Sequence, residues 1–481
     1  MGEALIELTR RPDFETQIKR NKHTGVMLLK SMNPILKAMI KSFAYKKPEG
    51  NIEFLNRFIE TRVKEIEKVI YNARQGVDKL EAIYETSSLY KDYQDQISKI
   101  APGIISFTAL VNLEQKLLGT NQYVNTIVKG LEGNITTEMG LMVGDLADII
   151  RKSPDLVNEF ENEEYGTLVS RIGKLEGNDE FKKKFNIFMD KYDMRAAGEI
   201  DIAKDRWIEN PKPLAKSILA TVRTSEEGIH RKEYEDKIKK AENAAKEFIK
   251  EVETGHGKLK AKIVKRLIRV LRNGLPTREH PKYFIMKIIL IIKRALLEEA
   301  KILVEKEHLV EEKDIFYVNF WELKEAIKNN KSLIKLVEKR KVEYDHYRKL
   351  STPRVITSEG EEIKAGYKRE NLPKGALQGI PVSSGVIEGI ARVIKDPENA
   401  SLNKGEILVA PFTDPGWTPL FINAAGLVME IGGLLTHGIV VAREYGMPAV
   451  VGITDVTKKI KTGQKVRVDG NAGFVMIIDE D

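Results

Sequence analysis

Along the first part of the chain the apolar positions Phe54, Leu55, Phe58, Ile59, Val63, Ile66, Val69, Ile70, Ala73 and Val77 recur at steps of three and four. That period draws a single stripe on a long amphipathic helix, and such a stripe is core. Helical patterns return over 104–118, 141–150, 214–222, 233–252, 258–271, 283–304 and 321–329, so residues 1–350 predict a large all-helical domain. Breaks are expected at Pro102-Gly103, at Pro154, from Pro211 to Pro213, from Gly255 to Gly257 and at Pro276.

The pattern changes after Ser351. Pro353, Gly360, Gly366, Pro373, Gly375 and Gly379 punctuate a stretch without helical period, which predicts a linker over 351–378 with a short hairpin around 354–363. From 379 to 481 the period shortens to that of strands, at 386–394, 407–410, 427–430, 449–451, 466–469 and 474–478. Short helices fit Thr418 to Ala425 and the segment that begins at His437. The expected fold is multidomain, α plus α/β: the helical domain first, then a small β/β/α domain able to move on its linker.

Composition narrows the picture. A chain of 481 residues is too long for one ordinary core, which agrees with two or three domains. It has no cysteine, so disulfides and thiolate metal sites are excluded, and no metal site is expected within it. The first residues, MGEALIELTRRPDFE, hold no apolar run of signal-peptide length, and the run from Phe284 to Ile292 is short and broken by Lys287. A soluble, cytoplasmic protein with no membrane partner is expected. The net charge of +8 is modest, and lysines alternate with glutamates along helical faces; only the run from Lys258 to Arg272 approaches the basic face that nucleic-acid binding needs, and no such binding is expected.

The stretch most suited to chemistry is 432-GGLLTHGIVVAREYGMP. Thr436 is a good N-cap, Gly446 a good residue just past a helix end, and Pro448 prevents continuation, which sets His437 at the first helical position. The free backbone N–H groups and the dipole there disfavour an imidazolium and favour an anion. His437 is thus expected to be neutral and nucleophilic, beside donors suited to a phosphoryl group. Gly432, Gly433 and Gly438 leave room for a bulky donor. Two other stretches crowd polar groups without the spacing of a solvated face: 193-DMRAAGEIDIAKDRWIENP and 278-REHPKYF. Their arginines and carboxylates fit either a site or a braced junction.

The segment GGLLTHGIVVAREYGMPAVVG, with KTGQKVRVDGNAGFV from Lys461 to Val475, closely resembles the phosphohistidine swivelling domain of the phosphoenolpyruvate-utilising enzymes. That family includes phosphoenolpyruvate synthase, pyruvate phosphate dikinase and rifampin phosphotransferase. The resemblance runs from about Gly379 to the C-terminus and implies that His437 becomes phosphorylated, with Thr436 and Gly438 as its catalytic neighbours. A looser similarity covers much of 185–330, in the Gly-Glu-Ile-Asp, Arg-Trp, Arg-Glu-His and Asp-Ile-Phe-Tyr runs, and implies an acceptor domain of the rifampin phosphotransferase layout. There Arg195, Glu199, Arg278 and His280 are candidates for the acceptor pocket, with Glu199 or His280 as a base, and Arg443 is expected to be structural or docking. The expected function is a phosphotransferase component: ATP with Mg²⁺ loads His437 through an ATP-grasp protein in trans, and the group passes to a hydroxyl of a small, largely apolar molecule bound by the helical domain. The alternative is a ligand- or partner-binding protein in which His437 is a relic or a regulatory phosphorylation point.

Overall fold

The computed structural model describes residues 48–86, 90–120, 122–162, 164–174, 178–350, 357–361, 372–397, 400–432 and 437–478. The helical part comprises α1 (Asn51–Asn72), α2 (Val77–Thr86), α3 (Tyr90–Leu118), α4 (Gln122–Ile127), α5 (Ile135–Ile150), α6 (Pro154–Glu161), α7 (Leu168–Lys174), α8 (Asp179–Tyr192) and α9 (Lys212–Thr224). It continues with α10 (Ile229–His256), α11 (Lys258–Gly274), α12 (His280–Glu305), α13 (Phe320–Asn329) and α14 (Ile334–Tyr347). The predicted apolar stripe lies on α1 as far as Ile70: Leu55, Ile59, Ile66 and Ile70 are buried, Phe54 and Val69 fall at its exposed margin, and the helix ends at Asn72, so that Ala73 is extended and Val77 opens α2.

Among the described residues three large apolar clusters hold this domain, with a small fourth one of Met194, Met286 and Leu290. One gathers α5 to α9 around Phe181, Phe185, Phe188 and Trp207. A second packs α1 and α2 on α12, α13 and α14 around Phe284 and Ile288. The third joins α3, α4, α10 and α11 around Phe248 and Leu271. Trp207 is therefore core, 2 % exposed.

The breaks at Pro154, Pro211–Pro213, Gly257 and Pro276 are present. Pro154 opens α6 behind the N-cap Ser153, and Gly257 separates α10 from α11 with φ 90°. The break at Pro102-Gly103 is not: α3 runs straight through it. An interior proline costs about 3 kcal/mol or more of helix stability. Here tertiary packing offsets that cost, because Gly103 crosses α11 at Gly274 so closely that a Cβ on Gly103 would overlap the Gly274 backbone.

The linker expected over 351–378 and its hairpin lie largely outside the described residues; residues 357–361 form a turn in which Thr357 N–H donates to Glu361 O at 2.9 Å. The C-terminal domain holds β1 (Leu377–Gln378), β2 (Ile380–Ser383), β3 (Val386–Val393), β4 (Ile407–Ala410), α15 (Thr418–Phe421), β5 (Gly426–Met429), α16 (His437–Tyr445), β6 (Ala449–Val451), α17 (Val456–Lys459), β7 (Lys465–Asp469) and β8 (Phe474–Ile477). Its sheet has the order β1-β8-β7-β3-β4-β5-β6-β2. The neighbours β3, β4, β5 and β6 pair in parallel, and the outer pairs are antiparallel. The fully buried runs of β4 and β5 fit a sheet covered on both faces, by α15 and α16 on one and by α17 on the other. The helix expected over Thr418 to Ala425 is shorter, ending at Phe421. The architecture is thus the expected one, a large helical part followed by a small α/β sheet domain.

The α3–α11 crossing gives a direct test. Gly103→Ala forces two backbones apart, and overpacking of this kind costs about 1–3 kcal/mol, occasionally more. The midpoint of urea unfolding should fall accordingly; an unchanged midpoint would show that the crossing is not tight.

Candidate active site at the domain interface

His437 opens α16, as the sequence pattern predicts. Gly446, with φ 72°, ends that helix, and its N–H donates to Arg443 O. The expected cap Thr436 lies with 433–435 outside the described residues. What surrounds His437 comes from elsewhere in the chain. Its Nδ1 lies 3.3 Å from Oε2 of Glu279, the last residue of the turn before α12, and its Nε2 lies 3.2 Å from the hydroxyl of Thr418 on α15. The His437 and Glu279 side chains are 8 % and 9 % exposed, so water does not screen the pair.

Burial by itself would raise the Glu279 pKa. The bond from His437, the charge of that ring when it is protonated, and the charges of Arg278 and Arg195 outweigh it and hold the carboxyl well below the usual range. An ionised Glu279 can only accept, so in the neutral ring Nδ1 carries the hydrogen. Nε2 is then the lone-pair nitrogen, receiving the Thr418 hydroxyl. The carboxylate therefore decides which ring nitrogen keeps the lone pair, a selection that the helix end alone does not supply.

Around this pair the other candidates take different places. Arg195 is buried: its Nη1 donates to Glu199 Oε1 at 2.8 Å, and its face lies 5.7 Å from the Tyr283 ring. Among the described residues its buried Nε and Nη2 have no acceptor. Lys282 Nζ reaches the same Glu199 oxygen at 3.0 Å. Arg278 donates to Glu279. The structure thus brings Arg195, Glu199 and Arg278 to the Glu279 side of the interface, and it adds Lys282.

His280 is not brought to His437. It lies beside Glu279 in sequence, but its buried Nε2 meets Asn56 Oδ1 at 3.1 Å, and burial lowers its pKa to about 4. A neutral imidazole wedged against α1 braces the turn, which is a correction to its expected place as a base. Gly438 is corrected too. It is buried, and a Cβ there would overlap the Thr413 hydroxyl, so its missing side chain makes room for packing and not for an incoming donor.

The residues that sequence reasoning passed over are Glu279, Thr418, Lys282 and Asp414. Glu279 is the middle residue of the noted Arg-Glu-His run and Lys282 lies two residues past it, yet nothing in the spacing singles them out as site residues. Asp414 accepts from Gly198 N–H at 2.6 Å across the interface and from Gly416 N–H at 2.9 Å. Burial, then the charge of Glu199, raises its pKa.

The far end of α16 is held by the helical domain as well. Glu444 accepts from Asn134 Nδ2 and from Thr137 Oγ1, each at 3.1 Å. Arg443 donates from Nε to Val382 O at 2.6 Å and lies 5.9 Å from the Phe107 ring of α3. That contact joins β2, α16 and the helical domain.

Two substitutions test this geometry. Glu279→Gln keeps the shape but removes the charge that selects the Nδ1–H form; ¹⁵N spectra of His437 should then show mixed tautomers in place of one. Gly438→Ala should displace Thr413 and lower stability by about 1–3 kcal/mol. A thermal shift of zero would mean that the site has space for a side chain.

Residues 402–473 match the family described as the PEP-utilising enzyme mobile domain, and residues 96–279 match the rifampicin phosphotransferase fourth domain. The rifampicin phosphotransferase of Bacillus cereus is 40 % identical over 439 residues, which is 90 % of this chain and 51 % of that protein. The rifampicin phosphotransferase of Bacillus subtilis is 39 % identical over 427 residues, 88 % of this chain and 46 % of its own. A probable phosphoenolpyruvate synthase of Staphylothermus marinus is 41 % identical over 125 residues, 24 % of this chain and 15 % of that one. The chain spans about half the length of the two rifampicin phosphotransferases. The chain is thus similar to these proteins in two successive parts: a segment matching the rifampicin phosphotransferase fourth domain, and behind it a segment matching the PEP-utilising enzyme mobile domain, within which His437 lies.

Proposed function

We propose that this chain is the carrier and acceptor part of a phosphotransferase, in which Nε2 of His437 takes a phosphoryl group and delivers it to a hydroxyl of a small molecule held by the helical domain. The observation that carries this reading is the buried contact of His437 Nδ1 with Glu279 of the helical domain. A carrier histidine has one nitrogen to use and one to orient, and here the orienting carboxylate belongs to the domain that would receive the group.

In the loading step the Nε2 lone pair forms the N–P bond as a nucleoside phosphate leaves, and the two-step route replaces one difficult transfer with two. In the delivery step the N–P bond breaks, the acceptor oxygen bonds to phosphorus, and the hydroxyl proton leaves to a carboxylate. Glu279 stabilises the ring through Nδ1–H while the group departs. Arg195, whose buried Nε and Nη2 are without acceptors, and Lys282 supply positive charge beside the same carboxylates. Preorganised cations in a water-poor site favour a developing phosphoryl charge.

Loading would draw on ATP with Mg²⁺ and an ATP-grasp partner, supplied in trans in this reading. The residues next to His437 do not fit a cation cage. Glu279 is engaged by His437 and Arg278, Glu199 by Arg195 and Lys282, and Asp414 by Gly198 and Gly416. Mg²⁺ is therefore assigned to the loading partner, and no step on this chain runs through it.

For the acceptor, the helical domain contains a cavity of about 550 Å³ over Tyr192, Tyr283, Leu290 and Ile291, with Lys64, Lys287 and Arg294 among its charged residues. Its volume is within the range of drug-sized ligand sites. Tyr283 and Asn56 on its wall contact Arg195 and His280, which links it to the residues around Glu279. Glu60, Glu67, Glu138, Asp190 and Asp193 also line it, so the class that suits it is a hydroxyl-bearing molecule with polar substituents around an apolar part, and rifampicin-like compounds are one candidate, by the names of the relatives.

The test is labelling. With ATP labelled at both its β- and γ-phosphates and an ATP-grasp protein, an acid-labile, base-stable phosphate should appear on His437 and be absent from His437→Ala. No label with any donor would favour the second reading, a binding protein whose His437 is not a carrier. Label that forms but never leaves in the presence of an acceptor panel would retain the carrier and reject the acceptor assignment.

A further inference from the structure

The helix that begins at His437 is fastened to the helical domain at its other end by a polar contact of an unusual kind. Glu444 is buried, 5 % exposed, and its two oxygens meet uncharged donors: Nδ2 of Asn134, the cap of α5, Oγ1 of Thr137 on α5, and the backbone of Leu131. Asn134 is not free to turn away. Its Oδ1 caps α5 by accepting from Thr136 N–H at 2.9 Å and Thr137 N–H at 3.2 Å, so its amide nitrogen must face the incoming domain. The next residue, Tyr445, lays its buried hydroxyl on Gly140 one turn along α5, where a Cβ would overlap the oxygen. Lys237 of α10 lies 5.3 Å from the centre of the Tyr445 ring.

The charged groups that face Glu444 are Lys237 on α10, Arg272 on α11 and Arg278 in the turn before α12, with Tyr234 on α10 and Tyr445 beside it on its own helix. Among the described residues none forms an ion pair with it. A carboxylate taken out of water without a cation is costly, whereas the neutral acid satisfies the same partners, since the Thr137 hydroxyl can accept as well as donate.

We propose that Glu444 is a positioning residue: docked as a neutral acid on Asn134 and Thr137, it fixes the far end of the His437 helix and so sets the reach of His437 to Glu279. Its role in phosphoryl delivery rests on the proposed function above. The docking contact itself does not, and it is tested here without donor or acceptor.

The pH dependence has a definite sign. Burial, working against the bonds from Thr137 and Asn134, raises the Glu444 pKa from an ordinary 4.5 to about 7 in the docked state. The docked state then binds more protons than the undocked one between those values. Docking is strongest below about 4.5, weakens by up to tenfold per pH unit toward about 7, and levels off above.

Because the chain has no cysteine, a Lys239→Cys, Lys461→Cys pair takes two spin labels at exposed positions, one in each domain. Pulsed dipolar spectroscopy on the full chain should give a docked distance whose population relative to the undocked one falls at least tenfold from pH 5 to pH 8. Glu444→Gln keeps the shape without the charge and should stay docked across that range. Thr137→Val removes a partner and should undock at pH 8, with the His437 ¹⁵N signal losing the signature of its bond to Glu279. Gly140→Ala, which crowds Tyr445 while favouring helix α5 locally, should undock at both pH values with helical circular dichroism intact. A pH profile shared by Glu444→Gln and the parent chain would overturn the proposal, as would a Thr137→Val variant that docks like the parent. Loss of His437 labelling in the earlier experiment would leave this result standing.

Discussion

A helix of nine residues is held at both ends by a second domain, and the rest of the site depends on that. At its N-terminus His437 meets a carboxylate; at its C-terminus Glu444 meets an amide and a hydroxyl. The two contacts differ in electrostatic kind. Glu279 is held ionised by surrounding cations, whereas Glu444 is pushed toward neutrality by burial. One rigid rod thus couples a charge-selecting contact to a desolvated one, and neither end can leave without disturbing the other.

Rigidity explains why glycine recurs at the contact. Gly438 lies against Thr413 inside the mobile domain, and Gly140 lies against Tyr445 across the interface. Close packing of this sort makes docking all-or-none, since displaced side chains do not fill the gap gradually. A domain that must seat a reactive nitrogen within hydrogen-bond distance of a partner gains from such an interface, because small misplacements weaken a buried polar contact steeply.

The helical domain supplies a preorganised wall. Arg195, Glu199 and Lys282 form a charge cluster whose arginine lies fully inside the protein, backed by Tyr283. Holding a guanidinium there with two N–H groups unanswered costs stability, and such tension is found where a ligand oxygen completes the set. The same wall connects through Tyr283 and Asn56 to a cavity of drug-like size, so His437, the cations and the cavity lie along one continuous stretch of structure.

Much of this was legible in residue pattern alone. Periodicity placed α1, α10 and α12, and the strand runs at 407–410 and 449–451 match β4 and β6 residue for residue, because apolar burial repeats along an element whatever its neighbours are. His437 was legible because a histidine between a cap and a glycine is a local arrangement. Pro102 misled, since a proline's local penalty carries no information about the Gly103–Gly274 crossing that overrides it. Glu279, Thr418 and Glu444 were out of reach for the same reason. Their roles depend on partners 158, 19 and 310 positions away, and only tertiary packing decides which of the chain's many carboxylates loses its water and faces an imidazole, and which faces an amide. Sequence determined the elements and the place of His437 at the head of its helix; the fold decided the ring's hydrogen-bond partners, its charge environment and the surface it faces.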